Sequence, residues 1–552
     1  MSFLSLQSIM DENLLPFILL VFSIWLLFFF RKHKTSKKPN LPRGPRGLPF
    51  IGNLYQLDGS TLCLKLYELS KSYGPIFSLQ LGSRPALVIS SPELAKEVMK
   101  THDLEFCGRP SLISSMKFSY NGLDMAFSPY RDYWRHTRKI SIIHFLSLKR
   151  VLMFSPIRKY EVTQLVKKIR ENAGCSKVTN LHELLTCLTS SIVCRTALGR
   201  RYEDEGIEIS MFHGLLKEAQ ELIVSTFYTD YIPFVGGVID KLTGLMGRLE
   251  KMFKVLDGFY QNVIDEHLDP QRNKLTDQED IIDALLQLKN DPSFSMDLTP
   301  AHIKPIIMGS KEHKLLSRIK LYINLVQIIF VAIVNYLIKF LIMDYSFICE
   351  SQNIILAGTD TSAAAVVWAM TALMKNPRVM KKAQEEIRNV YGGKDFIEEE
   401  DIEKLPYLKA VIKETMRLYP PLPLLLQRET IKKCRIAGYE IPEKTLVYVN
   451  AWAVHRDPET WKEAEEFYPE RFLDSTIDFR GYDFELIPFG TGRRICPGIH
   501  MGIITVQLVL ANLLYSFDWE MPHGIKSEDI DTHMLPGLIQ HKKNPLCLVP
   551  IC

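Results

Sequence analysis

One short stretch of this 552-residue chain restricts its fold more than any other, residues 488–498, PFGTGRRICPG. A single cysteine, Cys496, stands among glycines, arginines and prolines, and an apolar run begins at Ile499. Glycines permit tight turns and let a flat ligand approach the backbone, and the apolar run predicts a helix whose positive N-terminal end faces the sulfur. Positive surroundings favour the metal-binding thiolate form of cysteine, and Arg493 and Arg494 supply such charge. The stretch therefore predicts a loop that presents a thiolate to a large planar ligand with an iron centre and anionic edges.

Five fixed positions in this stretch define the pattern FxxGxRxCxG over residues 489–498. The pattern resembles the haem-ligand loop of the cytochrome P450 family. The resemblance implies that haem b is the cofactor, that the Cys496 thiolate is its axial iron ligand, and that Arg494 meets a haem carboxylate. A buried structural cysteine in a glycine-rich loop is the alternative interpretation. The positions carried over as cofactor-binding are Phe489, Gly492, Arg494, Cys496 and Gly498.

A second motif, WRHTR, places Trp134 and Arg138 four residues apart. In a helix these two side chains share a face, which an ordinary amphipathic helix also shows. In the family that the Cys496 loop resembles, this pair holds the haem propionates. The resemblance therefore assigns Trp134 and Arg138 to cofactor binding.

A third motif, LAGTDTS, spans residues 356–362 and runs into an apolar helical stretch. Gly, Thr and Asp are poor helix formers, and the Thr361 hydroxyl can bond back to the carbonyl of Ala357 and bend the helix there. The stretch resembles the oxygen-activating motif AGxDT of the same family, which implies that Thr361 stabilises iron-bound oxygen species and Asp360 delivers protons. A helix N-cap is the alternative interpretation.

A fourth pair, Glu414 and Arg417 in ETMR, shares a helix face three residues apart. In the family, such a pair locks to a second arginine behind the haem, and Arg471 in YPERF matches that arginine. A carboxylate buried between two guanidiniums is costly to break, so we expect a structural role. The same spacing recurs at Glu385 and Arg388, where the sequence predicts a solvated surface pair.

The rest of the chain predicts a mainly α fold with small antiparallel β-sheets. Residues 78–90 alternate around a turn like a hairpin, and helical patterns dominate afterwards, as in residues 91–103, 137–154 and 376–392. The resemblance covers residues 40–552 apart from one segment and implies the cytochrome P450 fold, a single large haem domain with an N-terminal membrane anchor. Ten scattered cysteines without a CxxC pair favour a reducing compartment. A net charge of +4 gives no case for nucleic-acid binding.

The N-terminus predicts a transmembrane signal anchor with a basic stop over residues 1–38. Residues 14–30 carry no charge and are long enough to span a bilayer as a helix, and RKHKTSKK follows at once. The positive-inside rule then places the body of the chain in the cytosol. A cleaved signal peptide is the alternative, but no small-residue cleavage site follows the apolar run. Residues 39–53, rich in Pro and Gly, predict a stiff hinge before the haem-thiolate monooxygenase domain over residues 54–552.

Residues 309–352 interrupt that domain with an atypical segment that is free of proline and dominated by Ile, Leu, Tyr, Phe, Lys and Asn. Deleting it joins residues 301–308 to 353–362 as one amphipathic helical pattern. A full membrane crossing would separate Trp134 from Cys496, although both must touch one haem. A genuine insertion lying on the membrane and the translation of a retained intron remain as alternatives, and the biased composition favours the intron.

Further details, including PRGPRGLPFIGN and AGTDTSAAAVVWAM, resemble plant A-type members, the family-71 clan. The resemblance implies a microsomal monooxygenase, anchored once in the endoplasmic reticulum membrane with its catalytic domain in the cytosol. Its partners would be O2, an NADPH-dependent cytochrome P450 reductase, membrane lipid and a small, mostly apolar specialised metabolite. The alternative is a membrane-bound, haem-free or misfolded product caused by the 309–352 segment. Oxygen-independent rearrangement chemistry is a further alternative, against which the intact Thr361 argues.

The resemblance also predicts which stretches line the substrate pocket. Gln427 stands where relatives commonly carry a proline and is predicted to line the pocket. The predicted recognition stretches are residues 111–126, 211–250, the residues before Thr361, 420–427 and 534–539.

Overall fold

Helices dominate the computed structural model of the chain, as the sequence predicts. The structure describes residues 40–57, 61–175, 177–200, 207–272, 279–290, 354–355 and 357–552. The predicted anchor over 1–38 and the segment 309–352 lie outside the described residues. The helices are α1 (Leu62–Tyr73), α2 (Pro92–Lys96), α3 (Asp103–Phe106), α4 (Ile113–Phe118), α5 (Asp132–Ser141), α6 (Leu148–Met153), α7 (Ser155–Gly174), α8 (Leu181–Leu198), α9 (Ile207–Val224), α10 (Gly236–Leu242), α11 (Leu245–Leu268), α12 (Ile281–Asn290), α13 (357–375), α14 (Pro377–Tyr391), α15 (Pro406–Leu418), α16 (Ala451–Val454) and α17 (Ile499–Ser516).

The predicted helix over residues 137–154 is in fact broken. Helix α5 passes into a π-helical turn over Ile142–Leu146, and Ser147 then takes an extended conformation. The Ser147 hydroxyl accepts a hydrogen bond from the Arg150 backbone N–H and so caps the next helix, α6. The apolar period continues across the break, which is why the sequence pattern concealed it. The predicted helix over residues 376–392 is confirmed as α14.

Three small sheets accompany the helices, and the largest is mixed. In it, β1 and β2 form the predicted antiparallel hairpin, whereas β2 and β7 pair in parallel. The predicted mainly α fold with small antiparallel sheets is confirmed, with one parallel pair in addition, because the chain returns to β2 only after crossing the helical body. The strand order is β1-β2-β7-β4, beside sheets β3-β9-β8 and β5-β6. The strands are β1 (Ile76–Leu81), β2 (Arg84–Ile89), β3 (Thr179–Asn180), β4 (Arg428–Glu429), β5 (Cys434–Ile436), β6 (Tyr439–Ile441), β7 (Leu446–Val449), β8 (Asp518–Glu520) and β9 (Cys547–Ile551).

Helix α17, which follows the cysteine loop, runs through the main hydrophobic core with α7, α13 and α15. Among the described residues it is the one single helix long and apolar enough to cross a membrane, but more than half of it is buried inside the protein. Helices α5–α6 and α7, bent by 56°, pass the same test only as one joint span. We therefore interpret the apolar character of α17 as that of a core helix.

Arg388 holds the C-terminal end of α17, which corrects the predicted surface pair with Glu385. Its guanidinium donates to the carbonyls of Leu514 at 3.1 Å and Phe517 at 3.0 Å and also contacts Asp518. The last carbonyls of a helix have no partner within it, so a cation at that position satisfies them. The three-residue spacing of Glu385 and Arg388 is typical of surface pairs. In the structure, however, Arg388 connects α14 to the end of α17.

The predicted hinge over residues 39–53 packs on strand β1 in its described part. The Ser78 hydroxyl donates to the Pro42 carbonyl at 2.7 Å, and Asn53 exchanges hydrogen bonds with the backbone of Gln80. A side chain at Gly44 would meet the Ser78 carbonyl oxygen at 1.8 Å, so this close approach needs glycine. The described part of the Pro/Gly-rich segment is therefore held on strand β1 by hydrogen bonds.

Candidate active site

The cysteine loop closes on itself before α17 begins. The Cys496 N–H donates to the Phe489 carbonyl at 2.9 Å, and Gly490 and Gly492 both have φ near +65 to +70°. These left-handed positions favour glycine. Helix α17 begins directly after Gly498, whose N–H points at the sulfur as the sequence predicts. The glycines thereby turn the thiol into a large cavity, on whose wall Cys496 is the only cysteine among the described residues.

The charge near the sulfur comes from a different arginine than the sequence suggests. Burial raises the pKa of the Cys496 thiol, while the Gly498 N–H and the guanidinium of Arg138 act in the opposite direction. Arg493 instead pairs with Asp103 at 3.0 Å. Arg494 is committed to backbone carbonyls, among them that of Ser128 at 2.7 Å. A buried thiol of raised pKa needs a metal ion to become a thiolate at neutral pH.

Four arginines, Arg109, Arg138, Arg428 and Arg494, reach the wall of the cavity, and none of its described lining residues is acidic. Burial lowers the pKa of Arg494 to about 10 and that of Arg109 well below its usual range, and the neighbouring guanidiniums lower the Arg109 pKa further. Clustered buried cations repel one another unless anions lie close by, and Asp103 and Asp124 supply part of that negative charge. The cluster therefore fits a ligand that brings carboxylates, as the two propionates of haem do.

The predicted pair Trp134 and Arg138 belongs to the same region, with Arg138 in the arginine cluster and Trp134 beside it. The indole ring centroid lies 4.1 Å from the Arg494 guanidinium carbon and 5.5 Å from that of Arg138. The indole N–H donates to the Met125 carbonyl at 2.9 Å, and Arg138 donates to the Ile495 carbonyl at 2.5 Å. Arg138 and Arg494 reach the cavity, whereas Trp134 is buried and is not among its lining residues. Because the indole lies beside both guanidiniums without lining the cavity, we infer that it positions Arg138 and Arg494.

Sequence reasoning missed two of the four arginines. Arg109 donates to the Ala126 carbonyl at 2.9 Å and to the carbonyls of Leu426 and Gln427 at 2.6 and 2.7 Å. Arg428 pairs with Asp103 at 3.2 Å. Neither belongs to a spaced motif, and the chain has 67 Lys and Arg residues, so one arginine carries little signal. The only hint is that Arg428 directly follows the predicted recognition stretch 420–427.

Helix α13 carries the predicted oxygen-activating motif along one side of the cavity. The Thr361 hydroxyl donates to the Ala357 carbonyl at 2.7 Å, which confirms the predicted back-bond. Thr361 and Gly358 line the cavity, whereas Asp360 does not and faces the other side of the helix. A side chain at Gly358 would come within 3.0 Å of Val193 on α8, so the small residue lets two helices approach.

Glu414, Arg417 and Arg471 form one buried ion cluster. Arg417 binds both Glu414 carboxylate oxygens, at 2.7 and 2.9 Å, and Arg471 donates to the same carboxylate at 3.1 Å. The side chains of Glu414 and Arg417 are fully buried. Arg417 also donates to the carbonyls of His455 and Ala464 and thereby ties α15 to the segment before the cysteine loop. The structure brings together the three residues that the sequence singled out.

The far side of the cavity is mostly apolar and comes from many parts of the chain. Each of the five predicted recognition stretches contributes to it, but Gln427 does not, because its side chain bonds Tyr448 on β7. The prediction that Gln427 lines the pocket is therefore wrong. Helix α8 contributes further lining residues that no sequence motif predicted. The residues that represent the stretches are Met125, Ile223, Ala357, Leu422 and Ile539, and those from α8 are Thr189, Ile192, Val193 and Thr196.

This helical fold, with one cysteine of the described residues facing an arginine-lined and otherwise mostly apolar cavity, defines a haem-thiolate enzyme. The chain belongs to the cytochrome P450 family: the sequence profile described as Cytochrome P450 matches residues 42–312 and 345–549. It is a monooxygenase that holds haem through a cysteine thiolate, and the haem supplies the activation of O2. Residues 313–344, which the profile leaves unmatched, fall inside the atypical segment 309–352.

Several known proteins resemble the chain over nearly its whole length. It is 43% identical to 6,7,8-trihydroxycoumarin synthase of Pastinaca sativa, over 98% of this chain and 99% of that protein. It is also 43% identical to Cytochrome P450 71B34 of Arabidopsis thaliana, over 96% and 97% of the two chains. A zebra fish cytochrome P450 structure with progesterone has a TM-score of 0.69 at 22% identity and covers 89% of this chain and 99% of that one. That structural likeness concerns the fold alone.

Proposed function

We propose that the protein inserts one oxygen atom from O2 into a small, mostly apolar specialised metabolite, with electrons from an NADPH-dependent reductase. The observation that carries this proposal is the composition of one cavity. Cys496, four arginines and Thr361 share its wall with apolar side chains. A thiolate ligand, carboxylate-binding cations, a hydroxyl near the reacting centre and an apolar substrate space are what this chemistry needs from the protein.

The residues divide the work as follows in this proposal. Cys496 ligates the iron, and Phe489, Gly492 and Gly498 shape its loop. Arg138 and Arg494, supported by Trp134 and joined by Arg109 and Arg428, bind the haem carboxylates. Thr361 and Asp360 hold and move the protons that O–O bond cleavage consumes. Glu414, Arg417 and Arg471 keep the scaffold behind the cysteine loop rigid.

We further propose planar aromatic lactones of the coumarin type as the first substrates to test. Two plant relatives at 43% identity are a 6,7,8-trihydroxycoumarin synthase and a 5-OH-xanthotoxin synthase. The wall that would face such a substrate is built from side chains such as Phe127, Ile223 and Ile539, which offer apolar contact to a flat ring.

For its location, we propose a single N-terminal anchor over residues 1–38 in the endoplasmic reticulum membrane, with the catalytic domain in the cytosol. The uncharged run 14–30 and the basic residues after it support this arrangement. We also propose that residues 309–352 are translated intron sequence. The gap in the family match at residues 313–344 and the biased composition support that proposal.

The reduced, carbon-monoxide-bound difference spectrum tests the proposal, measured on the full chain and on a variant that joins Met308 to Asn353. A thiolate-type Soret band in both proteins makes residues 309–352 a tolerated insertion. A band in the deletion variant alone supports the second candidate function, a membrane-bound and haem-free product of the full chain. Haem-containing, folded protein without a thiolate band in either form would overturn the Cys496 assignment. Hydroxylation of coumarin with the reductase and NADPH then tests the substrate class.

A further inference from the structure

Asp360 faces a histidine on the side of α13 that is turned away from the cavity. Its carboxylate oxygen Oδ2 lies 3.9 Å from Nε2 of His541, and the two side chains are 13% and 23% exposed. This distance suits an ionic contact and is roughly 1 Å beyond hydrogen-bond distance, so a small side-chain movement joins the two groups. Thr361, the next residue along the helix, meets the cavity. The helix thus separates a hydroxyl at the reaction space from a carboxylate that looks outward.

A second histidine stands behind the first. The rings of His541 and His182, the latter at the start of α8, lie edge to face with centroids 5.9 Å apart. Nδ1 of His182 is buried without a hydrogen-bond partner within the described structure. A buried polar nitrogen without a partner is costly, and titrating or proton-carrying groups are one reason why it is retained. Asp360, His541 and His182 therefore form a row of three titratable groups, and solvent reaches the partly exposed His541 in its middle.

His541 also belongs to the turn that forms part of the substrate wall. Leu538 and Ile539 of the same turn line the cavity. The turn is fixed by a bond from the Leu535 N–H to the His541 carbonyl at 2.8 Å and by the Trp368 indole N–H, which donates to the Gln540 carbonyl at 2.7 Å. A substrate that contacts Leu538 or Ile539 therefore contacts the same turn that carries His541, the partner of Asp360.

We propose that His541 positions the Asp360 carboxylate and returns protons to it from solvent, with the His182 ring packed behind it. This inference rests on the proton-delivery role proposed above for Asp360. The balance is simple: a solvent proton binds the His541 imidazole, the imidazolium gives a proton to the carboxylate, and Asp360 passes it on toward Thr361. No electron is transferred in these steps, and the reductase supplies those that the reaction consumes.

The charges around the pair support such a relay. Burial lowers the pKa of His541, the Asp360 carboxylate raises it, and Lys217 on α9 lowers it. The pKa of His182 is lowered by burial first, and then by His541, Lys217 and Lys542, while Asp360 raises it. Both imidazoles are therefore neutral at neutral pH, and a charge on His541 disfavours protonation of His182. A neutral imidazole beside a carboxylate can accept and release a proton at neutral pH without a large free-energy cost.

The test combines His541→Gln, Asp360→Asn and the double variant, with His533→Gln as the matched control, since His533 lies on the same segment with a 79% exposed side chain. The probe reaction is NADPH consumption and peroxide release with the reductase and coumarin. We expect His541→Gln to lower coupled turnover about tenfold and to raise the solvent isotope effect on kcat, while KM and the carbon-monoxide spectrum stay unchanged. The double variant should be no worse than Asp360→Asn, because both changes interrupt one path.

A second measurement is independent of turnover. With 13C-labelled histidines, NMR titration should show a lower pKa of His541 in Asp360→Asn, which loses an attractive charge. It should also show a higher pKa of His182 in His541→Gln, which loses a repelling charge. Unchanged titration in both variants, or a His541→Gln enzyme that changes only KM, would overturn the relay. An Asp360→Asn enzyme with normal coupling would instead overturn the proposed role of Asp360, so the two failures are distinguishable.

Discussion

The two sides of the active-site cavity are built by different means. The cysteine side, around Cys496 and α17, is held by charged side chains that bind backbone carbonyls, such as Arg494 on Ser128 and Arg417 on Ala464. The substrate side is held mainly by apolar packing between α4, α8, α9 and the turn at Ile539. Polar geometry is directional, whereas apolar contacts tolerate exchange of side chains of similar volume. We therefore expect the cysteine side to determine the reaction type. Substitutions on the substrate side should instead change which substrate binds.

The largest effect is expected from Cys496→Ser, which removes the one thiol that the described residues place on the cavity wall. A serine hydroxyl cannot supply a thiolate, so we expect the thiolate-type Soret band and all turnover to disappear. Difference spectroscopy measures this directly. Cys175→Ser, at an exposed cysteine, is the control and should keep both. A retained thiolate band in Cys496→Ser would mean that another cysteine is the ligand.

The next effect should come from Glu414→Gln, which leaves Arg417 buried without its carboxylate. Breaking a buried ion pair on one side costs about 3–5 kcal/mol of unfolding free energy. Chemical denaturation monitored by circular dichroism should show this loss, together with lower haem content. Glu385→Gln on α14 is the control, because Glu385 forms an exposed pair with Lys381 and should change stability by less than about 0.5 kcal/mol. Equal stability of the two variants would contradict the scaffold role.

A smaller, pH-dependent effect is expected on the substrate side at Asp230. Burial raises the pKa of this carboxyl to about 6, although it accepts a hydrogen bond from the Ile113 N–H at the start of α4. The folded state thus binds a proton more tightly than the unfolded state. Its stabilising contribution is present below pH ~4 and is lost as the pH rises through about 6, by no more than roughly 3 kcal/mol. Asp230→Asn should flatten the stability profile in that window, and an unchanged profile would contradict it.

The smallest effect should come from Ile539→Ala on the substrate wall. Truncating one aliphatic side chain that faces a ligand removes about 1–2 kcal/mol of contact. We expect up to about thirtyfold weaker coumarin binding, measured by the substrate-induced Soret shift, with an unchanged thiolate band. Leu473→Ala, at an exposed leucine, is the control and should bind coumarin as the parent does. Loss of the thiolate band in Ile539→Ala would show that the two sides are not independent.

The same contrast explains what the sequence could predict. Cys496, Trp134, Arg138 and Thr361 lie in spaced motifs, and the structure places three of them on the wall of one cavity, with Trp134 beside Arg138. The Thr361 back-bond to Ala357 followed from helix chemistry alone. Arg109 and the wall of α8 could not be predicted, because burial and charge there arise from contacts between distant segments. The predictions that Gln427 lines the pocket and that Arg388 forms a surface pair were wrong for the same reason. Local spacing does not reveal which neighbour a side chain contacts.

The packing of the Pro/Gly-rich segment on β1 has a practical consequence for handling the protein. β1 is the outermost strand of its sheet, and the bridge between Gly52 and Leu81 covers that edge. Asn40 reaches further, since its carbonyl accepts the Glu440 N–H of β6 at 3.0 Å. A truncation made for soluble expression should therefore start before residue 40. Cutting at residue 54 would leave an open strand edge that templates aggregation between copies.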